Sequence, residues 1–415
     1  MLKTKMTREE WSWVLYDIAN SAYVLLVATI LPIFSNAMAE AEGYSANQAT
    51  AAWSFAATAA TLLFIVLGPV LGAFADNKGI KKKLFLAFFV LGVVGCAVMG
   101  LMKGWMAFLI VYVVSKIGFN GSLIFYDSML TDITEDERMD EVSSFGFAFG
   151  YIGSCIPFIL GLAVVLLSQK GVLPFDLSTA CLIALLITAA WWALLTVPLL
   201  RTYRQRYFVQ AKVNPVRESF QRLFGTLRNI GENRAVFLFL LAFFFYIDGV
   251  YTIIEIATPY GISMGIDTTH LLLALLLTQI IAFPFAILFG RLAKKYSTRK
   301  LLEASILIYF GIALFAFQLD KAWEFWMLAA MVGCVQGGVQ ALSRSFFARL
   351  IPKERSNEFF GFYDIFGKSA SFVGTTLMGI IIAATDKPNL GVLPIAGMFV
   401  IGYLLLRAVP KQENE

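Results

Sequence analysis

Long apolar runs alternate with short polar connections along the chain, and each run matches the length a helix needs to cross a bilayer. A crossing takes about 20 mainly apolar residues. Such stretches fall at 11–37, 49–75, 84–102, 105–126, 142–167 and 175–200, then at 235–261, 269–290, 301–319, 323–343, 358–385 and 389–407. The pattern predicts an all-α membrane protein of twelve transmembrane helices. The first run follows Lys3, Lys5 and Arg8 and ends near Ala37, Met38 and Ala39, which superficially resembles a signal peptide with its cleavage site. It is too long for a signal core, it carries Asp17 and Asn20, and a counterpart recurs in the second half, so it is read as a retained span.

The connections set the orientation. Of the 33 Lys and Arg, 27 lie in alternate connections that include both termini and 4 lie in the others; Lys116 and Lys368 fall inside spans. The positive-inside rule therefore puts both termini in the cytoplasm. The longest and most Arg-rich connection, 201–234, separates six-helix halves at 1–200 and 235–415. Within it Asn214 and Pro215 have the character of a helix start. Val216, Phe220, Leu223, Leu227 and Ile230 then recur at helical spacing, with Arg217, Arg222 and Arg228 elsewhere on the helix. This is either an interfacial helix on the anionic leaflet or a solvated basic linker.

The halves are repeats. A shift of 217 residues aligns Ser128, Glu137, Arg138, Glu141 and Gly150 with Ser345, Glu354, Arg355, Glu358 and Gly367. A shift of 218 aligns Gly72, Ala75, Lys81 and Lys82 with Gly290, Ala293, Arg299 and Lys300. Pro32 and Pro259 fall late in the first helix of each half. Two parallel six-helix repeats form one of the transporter architectures in which substrate sits between the halves.

The segment GAFADNKGIKKKLF at 72–85 resembles the loop motif between the second and third helices of the major facilitator superfamily. The resemblance implies a gate latch built on Gly72, Asp76 and Lys81; Asn77 and Ile80 depart from the superfamily's basic positions. LYDIANSAY at 15–23, FYDSML at 125–130 and GGVQALSRSFFARLIPKERSNEFFGFYDIFGKSASFVG at 337–374 resemble the vacuole effluxer-like family, a branch of that superfamily. Its yeast autophagy member is associated with amino-acid efflux, and many bacterial members are labelled as unknown facilitators. Where the family is expected to continue with Gly-Pro, this chain has Gly374 and Thr375.

An ionisable group at bilayer depth costs at least ~2.5–3.5 kcal/mol on insertion scales, so each one is a candidate for function. Lys116 sits about ten residues from either end of the fourth span. It is read as a coupling residue, or as half of a structural ion pair. Asp17 and Asn20 share a face of the first helix, and Asp248 and Glu255 share a face of the seventh. By the superfamily resemblance the first, fourth, seventh and tenth helices line the cavity, so Lys116, Asp17, Asp248 and Glu255 are expected to converge there and to couple protonation to binding. Hydrogen bonding to backbone or to Tyr246 and Tyr251 is the structural alternative for Asp248 and Glu255. Gln336 and Gln340 are one turn apart on the tenth helix, facing a polar substrate or a neighbouring helix. Asp364 and Lys368, at i and i+4, neutralise each other near the gate. Arg344, Arg349, Glu354, Arg355 and Glu358 form a cytoplasmic charge network, with Asp127, Asp132, Glu137, Arg138 and Glu141 as its counterpart; gate salt bridges and solvated loops both fit. His270, after Asp267, Thr268 and Thr269, reads as a helix cap or surface residue.

The composition excludes several classes. The chain is 59% hydrophobic and 15% charged, with a mean hydropathy of +0.75; lipid, not one soluble core, solvates such a chain. Its net charge of +5 resides in the loops and does not imply nucleic acid. Cys96, Cys155, Cys181 and Cys334 stand singly and His270 is the only histidine, so neither a disulfide framework nor a metal site is expected. No P-loop, HExxH or GxSxG pattern occurs, and no cofactor or enzymatic activity is expected. The expectation is a monomeric secondary transporter in a bacterial inner membrane, with a small polar or zwitterionic solute, protons and membrane lipids as partners. Neutral amino acids and efflux come from the family resemblance. The alternatives are a lipid or lysolipid flippase of the same fold and a non-transporting sensor. Reporter fusions at residue 215 and at the C-terminus should both report the cytoplasm; signals on opposite sides would refute the twelve-span topology.

Overall fold

The computed structural model describes residues 5–210, 215–228, 234–263, 268–319, 321–385 and 387–410. Among them the structure is helical apart from short connections and one isolated bridge between Asn77 and Val209. The N-terminal half comprises α1 (Arg8–Ala28), α2 (Ile30–Ala41), α3 (Ala46–Ala75), α4 (Lys81–Met99), α5 (Trp105–Ser128), the single turn α6 (Leu130–Ile133), α7 (Met139–Gln169) and α8 (Leu177–Thr202). The connection holds α9 (Pro215–Arg228). The C-terminal half comprises α10 (Arg234–Ser263), α11 (Thr268–Leu292), α12 (Thr298–Phe317), α13 (Ala322–Leu350), α14 (Ser356–Thr385) and α15 (Leu393–Ala408). Eleven helices among the described residues are long and apolar enough to cross a membrane, and the bent α3 makes twelve. The face carrying the described terminal residues and the Lys- and Arg-rich connections is called the basic face below.

Prolines explain the departures from straight spans. The first span is continuous in the sequence pattern but breaks at Thr29, with α2 resuming at Ile30. Pro32 has no N–H for the carbonyl of Ala28, and its ring crowds that carbonyl. In α3 the segments Asn47–Phe64 and Leu67–Ala75 meet at 41°. The break falls at the residue whose carbonyl Pro69 cannot engage. Asn214, Ile230 and Asp267, read as cap or periodic positions, lie outside the described residues, as do the side chains of Val216, Leu227, Pro259, Thr268 and Thr269. His270 is exposed and meets the ring of Trp326 edge-on.

The repeat reappears in the packing. Between the halves α3 crosses α14 and α7 crosses α11. The repeat shift carries α7 onto α14 and α3 onto α11, so the second crossing is the first with the halves exchanged. Both depend on small residues that let backbones approach. A Cβ at Gly72 would collide with the Asn357 carbonyl, one at Gly361 would lie 2.8 Å from Pro69 Cα, and one at Gly290 would lie 2.7 Å from Ser144 Cβ. If the α3–α14 crossing closes the basic face, Gly72→Leu should open it. A cysteine substituted for the fully buried Ser128 is then expected to react with a membrane-impermeant thiol reagent only in the Gly72→Leu background. Equal protection in both would show that this crossing does not set the closure.

Candidate functional site

The polar centre between the halves is organised by Arg344 on α13, which is 3% exposed. Its Nη1 lies 3.0 Å from Asp127 on α5 and its Nη2 lies 3.2 Å from Asp17 on α1. Nε donates to Ser143 Oγ at 3.0 Å and Nη2 to the Ser143 carbonyl at 3.1 Å. The guanidinium is sandwiched between the rings of Trp13 and Phe147, at 4.5 and 4.4 Å. Arginine suits this position because its planar fork bonds several acceptors while its faces stack on aromatics. Asp127 and Arg344 are themselves 217 residues apart. Equivalent positions that touch must straddle the pseudo-two-fold axis, so this ion pair marks it.

Towards the basic face lies a polar cluster in two related copies. Ser128 Oγ donates to Asn357 Oδ1 at 2.5 Å, and its repeat mate Ser345 donates to Asp140 Oδ1 at 2.5 Å. Asp76, at the end of α3, accepts from the N–H and side-chain amide of Asn357 at 2.9 and 2.8 Å and from the Glu358 N–H at 3.1 Å. These are the free first-turn donors of α14, where a carboxylate also meets the positive end of the helix dipole. Burial pushes the Asp76 carboxyl up to about 7, while Lys81 and these donors pull it down. At the repeat position of Asp76 stands Lys294, paired at 2.8 Å with Glu141, the repeat mate of Glu358. Lys81 is fully buried and bridges Asp132 at 2.8 Å and Ser356 at 3.1 Å. Asp132 is saturated by Tyr203 and by the N–H groups of Arg206 and Tyr207. Arg349 completes the other copy through Asp140 at 3.0 Å and Thr298 at 2.7 Å, and Arg355 pairs with Glu358 at 2.6 Å.

The mid-depth charges form a separate layer, and Asp17 is not part of it. Asp17 is committed to Arg344 and does not meet Lys116. Lys116 lies eleven residues along α5 from Asp127, about 16 Å of helix, so an acid sharing a guanidinium with Asp127 is out of its reach. Asp248 is buried against α14, accepting from the Gly374 N–H at 3.0 Å and Thr252 at 3.2 Å. Its second oxygen has no hydrogen-bond partner among the described residues. The Tyr112 ring lies 5.7 Å from the ammonium of Lys116, and Glu255 lies on α10 of the other half. Lys368 and Asp364 are 2.7 Å apart. Gln340 accepts from Tyr151 on α7 at 3.1 Å, linking the halves, and Gln336 is buried one turn away. Asn20 turns back to the Tyr16 carbonyl at 2.9 Å.

A polar seam between two six-helix repeats is the geometry of a carrier, and known proteins share it. The sequence profile described as vacuole effluxer Atg22 like matches residues 5–414. The chain belongs to this family. An uncharacterized MFS-type transporter, YxiO of Bacillus subtilis, is 44% identical over 413 residues, covering 99% of this chain and 96% of the relative. Autophagy-related protein 22-1 of Aspergillus fumigatus is 24% identical, over 62% of this chain and 46% of its own length, so the chain spans about half of that relative. A crystal structure of the major facilitator superfamily transporter FucP in the outward conformation superposes with a TM-score of 0.73 at 14% identity, covering 97% of this chain and 99% of that one. Fold and family together make this Atg22-like protein a multi-pass transporter of the major facilitator type.

Several residues of the Atg22-like centre escaped the sequence reading. Asp140 and Asn357 sit at the same 217-residue offset as the aligned glutamates beside them, and that was a usable signal. Ser143, Trp13 and Phe147 gave none, because only the fold brings them to the guanidinium. Arg344→Gln should leave two acids facing one another without their cation, a loss of on the order of 3–5 kcal/mol. Replacing Asp17, Asp127 and Arg344 together by Asn, Asn and Gln should cost less. Thermal unfolding of the purified variants checks this; a triple variant weaker than the single one would show that the three side chains do not act as a unit.

Proposed function

We propose that this Atg22-like transporter works by proton-coupled alternating access on a small polar or zwitterionic solute, with neutral amino acids favoured and efflux as the physiological direction. One observation carries the reading. Among the described residues, the hydrogen bonds and ion pairs between the halves lie in the basic-face half of the helices, the outermost joining Tyr151 to Gln340 near mid-depth. The carrier is therefore shut on one face, and its repeat symmetry supplies the same helix pairs for closing the other. With the basic face in the cytoplasm, as the loop charges favour, this is the outward-facing form.

The layer above the shut face supports the solute class. Lys116 lies on α5 of one half, and the other half carries Glu255 on α10 and the Asp364–Lys368 pair on α14. Opposite charges on the two halves match a ligand that carries both a carboxylate and an ammonium. The amino-acid preference rests on family likeness, which supports a class and not a compound. Proton coupling draws support from two acids that trade water for protein. Asp76 is buried at the latch, and one oxygen of the buried Asp248 has no hydrogen-bond partner among the described residues.

The test is uptake into proteoliposomes with and without a pH gradient, beside counterflow of the same solute. Lys116→Ala should cut gradient-driven uptake by roughly tenfold, an effect of ~1.4 kcal/mol, while counterflow survives within a few-fold. Adding Glu255→Gln should restore part of the expression lost with the lysine. Full gradient-driven uptake by Lys116→Ala would make the lysine structural and would shift the coupling role to Asp248. Labelled lipid flipped in place of any solute would overturn the proposal altogether.

A further inference from the structure

The helix in the connection between the halves has three distinct sides. At about 100° per residue, Ser219, Arg222, Leu223 and Thr226 share one side, and all four engage the transporter. Ser219 accepts from Asn77 at 3.1 Å, Arg222 donates to the Ala73 carbonyl at 2.9 Å, and Leu223 is buried. Thr226 donates to Glu358 at 2.6 Å and accepts from Arg355. Helix α9 is thus bonded both to the end of α3 in one half and to the start of α14 in the other, beside Asp76.

Phe220 and Phe224 come next around the helix, 41% and 65% exposed. Arg217 and Arg228 follow at the edge of this aromatic side, both exposed. Between α9 and α3 lies an apolar groove of about 200 Å³, lined by Val70, Leu71, Phe74, Ser219, Phe220 and Leu223. Val70, Leu71 and Phe74 lie in the last two turns of α3, a helix apolar enough to span a membrane, so the groove sits at the basic-face end of that span. A large aromatic surface in that zone, rimmed by arginine, has the chemistry of an interfacial helix on an anionic surface.

We propose that this groove and the Phe220–Phe224 side bind an anionic phospholipid of the bilayer, acyl chain against α3 and phosphate towards Arg217 and Arg228, and that the bound lipid holds α9 as a clamp over the closed basic face. The lipid site rests only on the membrane fold. The clamp rests also on the alternating-access reading.

Tryptophan quenching by lipids brominated on their acyl chains tests the site directly. The full chain carrying Phe224→Trp is placed in vesicles of phosphatidylcholine and phosphatidylglycerol, with one or the other brominated, and the unsubstituted chain supplies the background. Brominated phosphatidylglycerol should quench the added signal severalfold more than brominated phosphatidylcholine, and Arg217→Gln with Arg228→Gln should erase the difference. Equal quenching by both lipids, or none above background, overturns the site. Should the tryptophan variant fail to fold, amide exchange across 215–228 in the unaltered chain replaces it. Exchange should slow when phosphatidylglycerol is added, and an unchanged rate overturns the proposal. Neither readout uses transport, so failure of the solute or proton reading leaves both intact. For the clamp, a cysteine replacing Ser128 should become more reactive in pure phosphatidylcholine; constant reactivity overturns the link to the gate.

Discussion

Two carboxylates and one guanidinium, meeting at the boundary between the halves around the buried Arg344, are the constraint on which this structure turns. Arg344 is useful there only while Asp17, Asp127 and Ser143 surround it, because a buried ion without partners is far costlier than the pair is favourable. Each partner comes from a different helix, so satisfying the arginine fixes how α1, α5, α7 and α13 meet. The pairing of Asp127 with its own repeat mate also shows why the two halves had to diverge. Across a pseudo-two-fold axis identical charges would repel, whereas Asp and Arg attract. The same inversion recurs at Asp132 and Arg349 and at Asp76 and Lys294, where each copy finds its own partner.

Packing within a half differs in kind from packing between halves. Inside the N-terminal half α4 meets α5 so closely that a Cβ at Gly95 would lie 2.8 Å from Ser115 Cβ, and aromatic stacks such as Trp13 on Tyr126 fill the remaining space. Separating such surfaces exposes apolar area and loses dispersion contacts. Between the halves the bonds are made by serine hydroxyls, carboxylates, helix-end amides and the cations of Arg344, Arg349 and Lys81; the neutral ones have a small net worth, whereas the charged ones are costly to break singly. The seam is thus held by polar bonds and the cores by packing.

The connection at 201–234 is more than a tether. Its residues reach both sides of the seam: Arg206 and Tyr207 donate to Asp132, Gln205 accepts from Gly79, and Thr226 joins Glu358. A segment bonded to both halves contributes to the free energy that holds them together at the basic face. Whatever covers its exposed aromatic side shares in it too.

Sequence alone determined the number of spans, the division into repeats and the family, because membrane solvation demands unbroken apolar length and duplication leaves its spacing in the text. Charge density in the loops likewise marked one face, and the i to i+4 spacing already brought Asp364 within reach of Lys368. The partners of the intramembrane charges were decided only by tertiary structure. Lys116 and Asp17 look complementary when depth is counted along separate helices, yet Asp17 shares Arg344 with Asp127, eleven residues along α5 from Lys116. The break at Thr29 was legible in Pro32, whereas Trp13 and Phe147 became an arginine clamp only through the rotation of α1 and α7 about their axes. Periodicity gives that rotation loosely in a helix apolar on nearly every side, since lipid and core ask for the same residues. Close packing between helices removes that freedom.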